Sequence, residues 1–140
     1  MSSDIIVRTV SRLMVPFLLL FGAYVMLHGH AGAGGGFQAG SIITSALILA
    51  AIGMGINEVR RFAQRRRLWI IGSAGCLIFI LTAVLALPAG GNIFEYGTIP
   101  LPYRPDAIHA IAITLVEIGI GLAVFSIVFL IILAIAGGEE

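Results

Sequence analysis

"AIHAIAITLVEIGIGLAVFSIVFLIILAI", residues 107–135, is an apolar run interrupted by a single carboxylate, Glu117. About 20 apolar residues suffice to cross a bilayer as a helix. Inside hydrocarbon only a helix or a closed barrel satisfies its own backbone. This run exceeds the minimum, so it is expected to tilt or protrude. Three more runs precede it, near 13–27, 40–56 and 68–87, the second at the short limit for a span. The 140-residue chain is 59% hydrophobic and 11% charged, whereas soluble domains are about a quarter charged. The sequence therefore predicts an all-α integral membrane protein with four transmembrane helices. One membrane domain fills residues 1–140, with no room for a soluble one. The first run lacks a compact apolar stretch followed by a small-residue cleavage site, so it reads as a retained helix rather than a signal peptide.

Charge placement gives an orientation. All eight basic residues are arginine, and the net charge is only +1. Between the second and third runs lies "NEVRRFAQRRR", residues 57–67, with Arg60, Arg61, Arg65, Arg66 and Arg67 against Glu58 alone. Arg8 and Arg12 precede the first run. The connection after it has no arginine, and the connection before the fourth run has only Arg104. The positive-inside rule then places both termini and the arginine loop in the cytoplasm. The arginine cluster sets topology and can touch anionic headgroups. Nothing else in the chain supports nucleic-acid binding.

The longest connection, residues 88–106, carries Pro88, Pro100, Pro102 and Pro105 with Phe94, Tyr96 and Tyr103. Proline forbids a regular helix there, and aromatic rings suit the headgroup level. The expectation is an extended flap on the outer interface, with Asp106 capping the fourth helix. Cys76 is the only cysteine and reads as a small packing residue. Small residues recur at packing spacing: Ser41, Ser45, Ala46, Ala50 and Gly53 in the second run, Gly72 and Gly75 in the third, Gly119, Gly121 and Ala123 in the fourth. Such faces let backbones approach closely, and they suggest contact with other membrane subunits.

The first connection is the chain's oddest stretch, "LHGHAGAGGGFQAGS", residues 27–41. Its glycines satisfy the spacing of a dinucleotide fingerprint, but no strand precedes them and membrane helices flank both sides, so nucleotide binding is rejected. Gly36 and Gly40 instead let the second helix lie against another backbone. The helix N-terminus also offers free N–H groups to a carbonyl or negative partner. His28, His30 and His109 are the imidazoles. No cysteine or carboxylate stands at ligand spacing beside them, so no metal site is expected, and no cofactor. His30 suits a donor that pins the loop. A proton-relay role stays open for His30 and His109.

Glu117 is the sharpest feature. An ionisable group in an apolar span is costly and marks a functional site by default. Thr114 lies one turn before it and Gly121 one turn after, on the same face. Two readings stand: a hydrogen-bonded carboxyl that glues helices together, or a group that handles protons or cations.

The stretch Gly29-His30-Ala31-Gly32-Ala33-Gly34-Gly35-Gly36-Phe37-Gln38-Ala39-Gly40 resembles the signature of the B subunit of multisubunit Na⁺/H⁺ antiporters, the Mrp or Mnh family with its MnhB-like domain. Ala33 stands where the family usually has proline, which loosens the turn. Residues 117–124, "EIGIGLAV", and the four-helix layout extend the resemblance over most of the chain. The resemblance implies a multi-pass accessory subunit of a prokaryotic cytoplasmic membrane, a transporter component rather than an enzyme. Its implied partners are other membrane subunits, among them large antiporter-like subunits that carry most of the proton path. Na⁺ and H⁺ are the implied transported ions, and the lipid bilayer surrounds the whole. The glycine motif then reads as a docking element for the partner subunits. The same module also serves redox-driven complexes such as membrane-bound hydrogenases, and a stand-alone homo-oligomeric membrane protein is a third reading.

Overall fold

The structure is a computed structural model that describes residues 2–29, 35–100 and 102–136. Its α-helices are α1 Ser2–His28, α2 Gly36–Met54, α3 Ile56–Phe62, α4 Arg65–Val84 and α5 Pro105–Ala136. No strand occurs among the described residues. Four helices, α1, α2, α4 and α5, are long and apolar enough to cross a membrane. This is the all-α, four-span architecture that the composition demands.

The helix ends differ from the apolar runs for local reasons. The sequence places the first span near 13–27, but α1 begins at Ser2. Arg8 and Arg12 lower the hydropathy without opposing the helix, since arginine is a good helix former. Asp4 in the first turn also complements the helix dipole. Gly55, at φ 98°, separates α2 from α3, a conformation costly to any residue with a Cβ. The connection at 57–67 thus holds a short helix that the apolar pattern did not reveal. Its Val59 is buried, while Arg60 and Arg61 face outward.

The spanning helices lie in a row, α1 against α2, α2 against α5, and α5 against α4, with only light contact between α1 and α5. Ordinary apolar packing holds the two ends of the row. At the arginine end Val59, Ala63 and Leu68 close on Ala50, Phe129 and Leu133. At the other end Tyr96 packs on Ile108 and Ala112. Between these clusters the helices meet through small residues. Gly72, Gly75, Gly119, Gly121, Ala46 and Ala50 are buried within the subunit. The small-residue faces that suggested outside partners are therefore largely used internally.

The connection between α4 and α5 is a folded cap, not an extended flap. Short 3-10 turns form at Leu87–Ala89 and Tyr96–Thr98. The Phe94 N–H donates to the Ala83 carbonyl at 3.1 Å. The Glu95 carboxylate accepts from the Asn92 backbone N–H at 2.8 Å and from its side-chain amide at 2.9 Å. Proline excludes α-helix here, but it permits single turns whose free carbonyls and amides are met locally. Asp106 is not the cap of the last helix. Pro105 opens α5, and Asp106 lies in its first turn, where proline's missing N–H costs nothing and a carboxylate favours the dipole.

Tyr96 anchors the cap. It is 3% exposed, and its ring meets Phe94 and His109 edge-on at centroid distances of 6.4 and 5.9 Å. Its hydroxyl finds no hydrogen-bond partner among the described residues. Burial pushes the phenol's pKa above its ordinary 10.0, because ionisation would place charge where water is excluded. The folded state thus favours the protonated phenol. Its contribution to stability is full below pH 10.0 and falls as pH rises beyond that value. Tyr96→Phe is expected to match or exceed wild-type stability by up to ~1 kcal/mol, since it removes a buried hydroxyl without a partner. It should also flatten the alkaline decline. Thermal unfolding on both sides of pH 10.0 checks both points, and an unchanged decline assigns it to another group.

Candidate functional site

Glu117 stands 12 residues beyond Pro105, about 18 Å along α5. α1 ends and α2 begins at this level. The half-buried Glu117 side chain lies with both carboxylate oxygens against Gly29, the residue that follows α1. The Glu117 backbone carbonyl lies against Gly36, the first residue of α2. One residue of α5 therefore touches the end of one spanning helix and the start of the next. The structure puts Glu117 level with the end of α1 and the start of α2, recessed below the cap.

A ladder of small residues builds this contact. Gly36, Gly40 and Thr44 follow one another at intervals of four on α2, and Glu117, Gly121 and Phe125 do the same on α5. Four residues are just over one helical turn, so each set lies along one face. A methyl on Gly36 would overlap the Glu117 carbonyl and approach the Gly121 nitrogen to 2.9 Å. A methyl on Gly40 would meet the Gly121 carbonyl oxygen at 2.7 Å and the Phe125 nitrogen at 3.2 Å. The Thr44 hydroxyl donates to the Gly40 carbonyl at 2.8 Å, with the Phe125 carbonyl at 3.5 Å. Gly35 serves differently. Nothing lies near its would-be Cβ, but its φ of 140° excludes other residues from the turn into α2.

The motif glycines Gly29, Gly36 and Gly40 thus pack inside the subunit. This differs from the docking role that the sequence suggests, because Gly36 and Gly40 approach the backbone of α5 and Gly29 the Glu117 side chain, all in the same chain. Phe37, in the same motif, is 65% exposed and faces away from that seam. His30 and Gly34 lie outside the described residues.

The remaining candidates do not gather around Glu117. The Thr114 hydroxyl donates to the Ala110 carbonyl at 2.8 Å, within its own helix. His109 is exposed beside Tyr96, eight residues before Glu117 and about 12 Å away along the helix. His28 is exposed and stacks on Tyr24 at 4.7 Å. Among the described residues no three His, Cys, Asp or Glu side chains come together where a metal could bind. The sequence reading missed the Gly29–Glu117 contact and the burial of Tyr96. The matched four-residue spacing on α2 and α5 signalled the Gly36–Gly40 seam beside the first, not the Gly29 contact itself. For Tyr96, sequence distance from Ile108, His109 and Ala112 gave none.

The seam predicts how substitutions behave. Gly36→Ala is expected to destabilise the subunit by about 1–3 kcal/mol through overpacking against α5 backbone. Gly29→Ala drives a methyl into the Glu117 carboxylate, so its cost should shrink when Glu117→Ala makes room. A double-mutant cycle on thermal unfolding should give a coupling of about 0.5 kcal/mol or more. Additive costs would show that Gly29 and Glu117 do not bear on each other.

Comparison with known proteins agrees with this layout. The family model MnhB, described as "Domain related to MnhB subunit of Na+/H+ antiporter", matches residues 6–130. Relatives that carry the provisional name antiporter subunit mnhB2 align with nearly the whole chain. The one from Staphylococcus haemolyticus is 36% identical over 99% of this chain and 98% of its own length. That from Staphylococcus epidermidis strain ATCC 12228 is also 36% identical, and that from Staphylococcus aureus strain Newman is 35% identical, each with the same coverage. Matched over most of its length by the family model and nearly end to end by these relatives, the chain belongs to the MnhB-related family of Na⁺/H⁺ antiporter subunits.

Proposed function

We propose that this chain is an accessory membrane subunit of a multisubunit antiporter that exchanges Na⁺ for H⁺ across a prokaryotic cytoplasmic membrane. Its own part is to hold a fixed helix frame beside larger subunits that carry most of the proton path. Family membership supports the setting. The observation that carries the subunit's own role is the Glu117 contact, which joins α5 to the end of α1 and the start of α2.

Both termini and the arginine loop are placed on the cytoplasmic side. Ser11 of α1 lies against Gly53 near the end of α2, and Val59 and Leu68 pack on Phe129 and Leu133. Arg8, Arg12 and the 60–67 cluster therefore share one end of the row with the C-terminal part of α5. The positive-inside rule assigns that end to the cytoplasm. The α1–α2 connection and the cap then face outward. With Cys76 replaced, labelling of a cysteine placed at position 64 from the inside only is the expected result, and labelling from the outside only overturns the orientation.

In this reading Glu117 acts first as a fastener. A carboxyl in an apolar setting is held by packing and hydrogen bonds, which an amide of the same shape can largely reproduce. Glu117→Gln should then keep most of the exchange activity, whereas Glu117→Leu should weaken assembly. Na⁺/H⁺ exchange in vesicles that contain the fully assembled variant complex tests this. Complete loss of exchange by Glu117→Gln with assembly intact would make the carboxyl part of the ion path, since an amide cannot titrate.

A further inference from the structure

We infer that the outward groove between α4 and α5 holds one anionic glycerophospholipid, its headgroup at Arg65 and an acyl chain along the groove. This inference does not rest on the ion exchanged or on the role of Glu117. The groove begins in a cavity of about 370 Å³ that reaches from Arg65 and Trp69 to Ile131 and Ala134. It continues through a cavity of about 340 Å³ floored by Gly72 and Ser126 and flanked by Ser73 and Cys76. Trp69, Ile127 and Leu130 line both of these. A third cavity of about 370 Å³ follows, sharing Cys76 and Ile80 with the second and ending near Gly119 and Ile120. All three lie along the same flank of the helix pair, so they form one trough.

The occupant follows from the contrast between the trough and its mouth. The 12 residues from Trp69 to Ile80 cover about 16 Å of helix, close to one leaflet of a hydrocarbon core about 30 Å thick. Small side chains at Gly72, Ser73 and Cys76 keep that length open for a slender chain. The mouth is basic. Arg65, Arg66 and Arg67 are exposed and make no ion pair among the described residues, whereas Arg61 pairs with Glu58 at 3.8 Å. Trp69, 63% exposed one turn beyond Arg65, suits the level where headgroup meets chain. A basic mouth on an apolar trough of one-leaflet depth fits a phosphate-bearing headgroup with its acyl chain. A partner helix would leave these guanidinium groups unmatched unless it brought carboxylates of its own.

Trp69 is the only tryptophan in the chain, which supplies the readout. The full chain is placed in phosphatidylcholine vesicles that hold a minor share of lipid brominated on its acyl chains, either phosphatidylglycerol or phosphatidylcholine. The expected result is stronger quenching of Trp69 by brominated phosphatidylglycerol. Arg65→Gln should weaken that preference about fivefold, and Arg61→Gln should leave it unchanged. Ser73→Phe, which fills the trough, should lower quenching by brominated phosphatidylglycerol while sparing secondary structure by circular dichroism. Equal quenching by the two lipids overturns the proposal, and so does an Arg61→Gln effect as large as that of Arg65→Gln. In the assembled complex, the difference between chains with and without Trp69→Phe isolates the same signal. Shielding of Trp69 from both lipids there would give the groove to a partner helix and also overturn it.

Discussion

The structure depends on how closely α5 can approach two other helices at once. Gly119 and Gly121 are two residues apart, about 200° around the helix, so they face nearly opposite neighbours. A methyl on Gly119 would meet the Gly75 carbonyl of α4 at 2.8 Å. Gly121 instead faces α2, with the Gly36 carbonyl 3.1 Å from where its methyl would be. Helices that span a membrane gain little by exchanging lipid for apolar side chains, so their association rests on close packing and polar contacts. Two glycines on opposite flanks make α5 the middle of the row, and the positions of α2 and α4 follow from it.

That constraint explains why the middle of the row is poor in large buried side chains. Leu68 and Phe129 are fully buried near the arginine end and Tyr96 nearly so beneath the cap. Between them the backbones are too close for such side chains to enter. The ends are therefore fixed by shape-filling contacts and the centre by backbone proximity. A methyl added at either kind of site acts differently. At the ends it competes with side chains that can rotate, while at the seam it meets carbonyl oxygens and amide nitrogens that move only with their helices.

Much of the fold was legible because hydropathy and helix length report directly on a bilayer. The four spanning helices followed from runs of apolar residues, and the arginine loop stood out from them. The small residues at 36, 40, 119 and 121 were visible as packing positions, but their partners were not. A glycine advertises that a backbone can come near, not which one, so an internal seam and a docking surface look alike in sequence. The cap was misjudged for a similar reason. Its prolines exclude regular helix, yet the turns that replace it depend on the Glu95 carboxylate and on the Ala83 carbonyl. Tyr96 reached its buried place through contacts with residues 108 and 112, which no local pattern announces.

Glu117 makes sense in the same terms. Of the spanning helices, α1 packs along α2 and touches α5 only lightly. A helix held along one side can swing about that contact. The carboxylate of Glu117 reaches Gly29 at the far end of α1, giving that helix a second point of contact on a different neighbour. The same residue's carbonyl lies against Gly36, so the two ends of the α1–α2 connection are set by one residue of the central helix. A larger residue at 29 would press on the Glu117 carboxylate, and one at 36 on its carbonyl. Glu117 thus brings the end of α1 and the start of α2 against the same residue of α5.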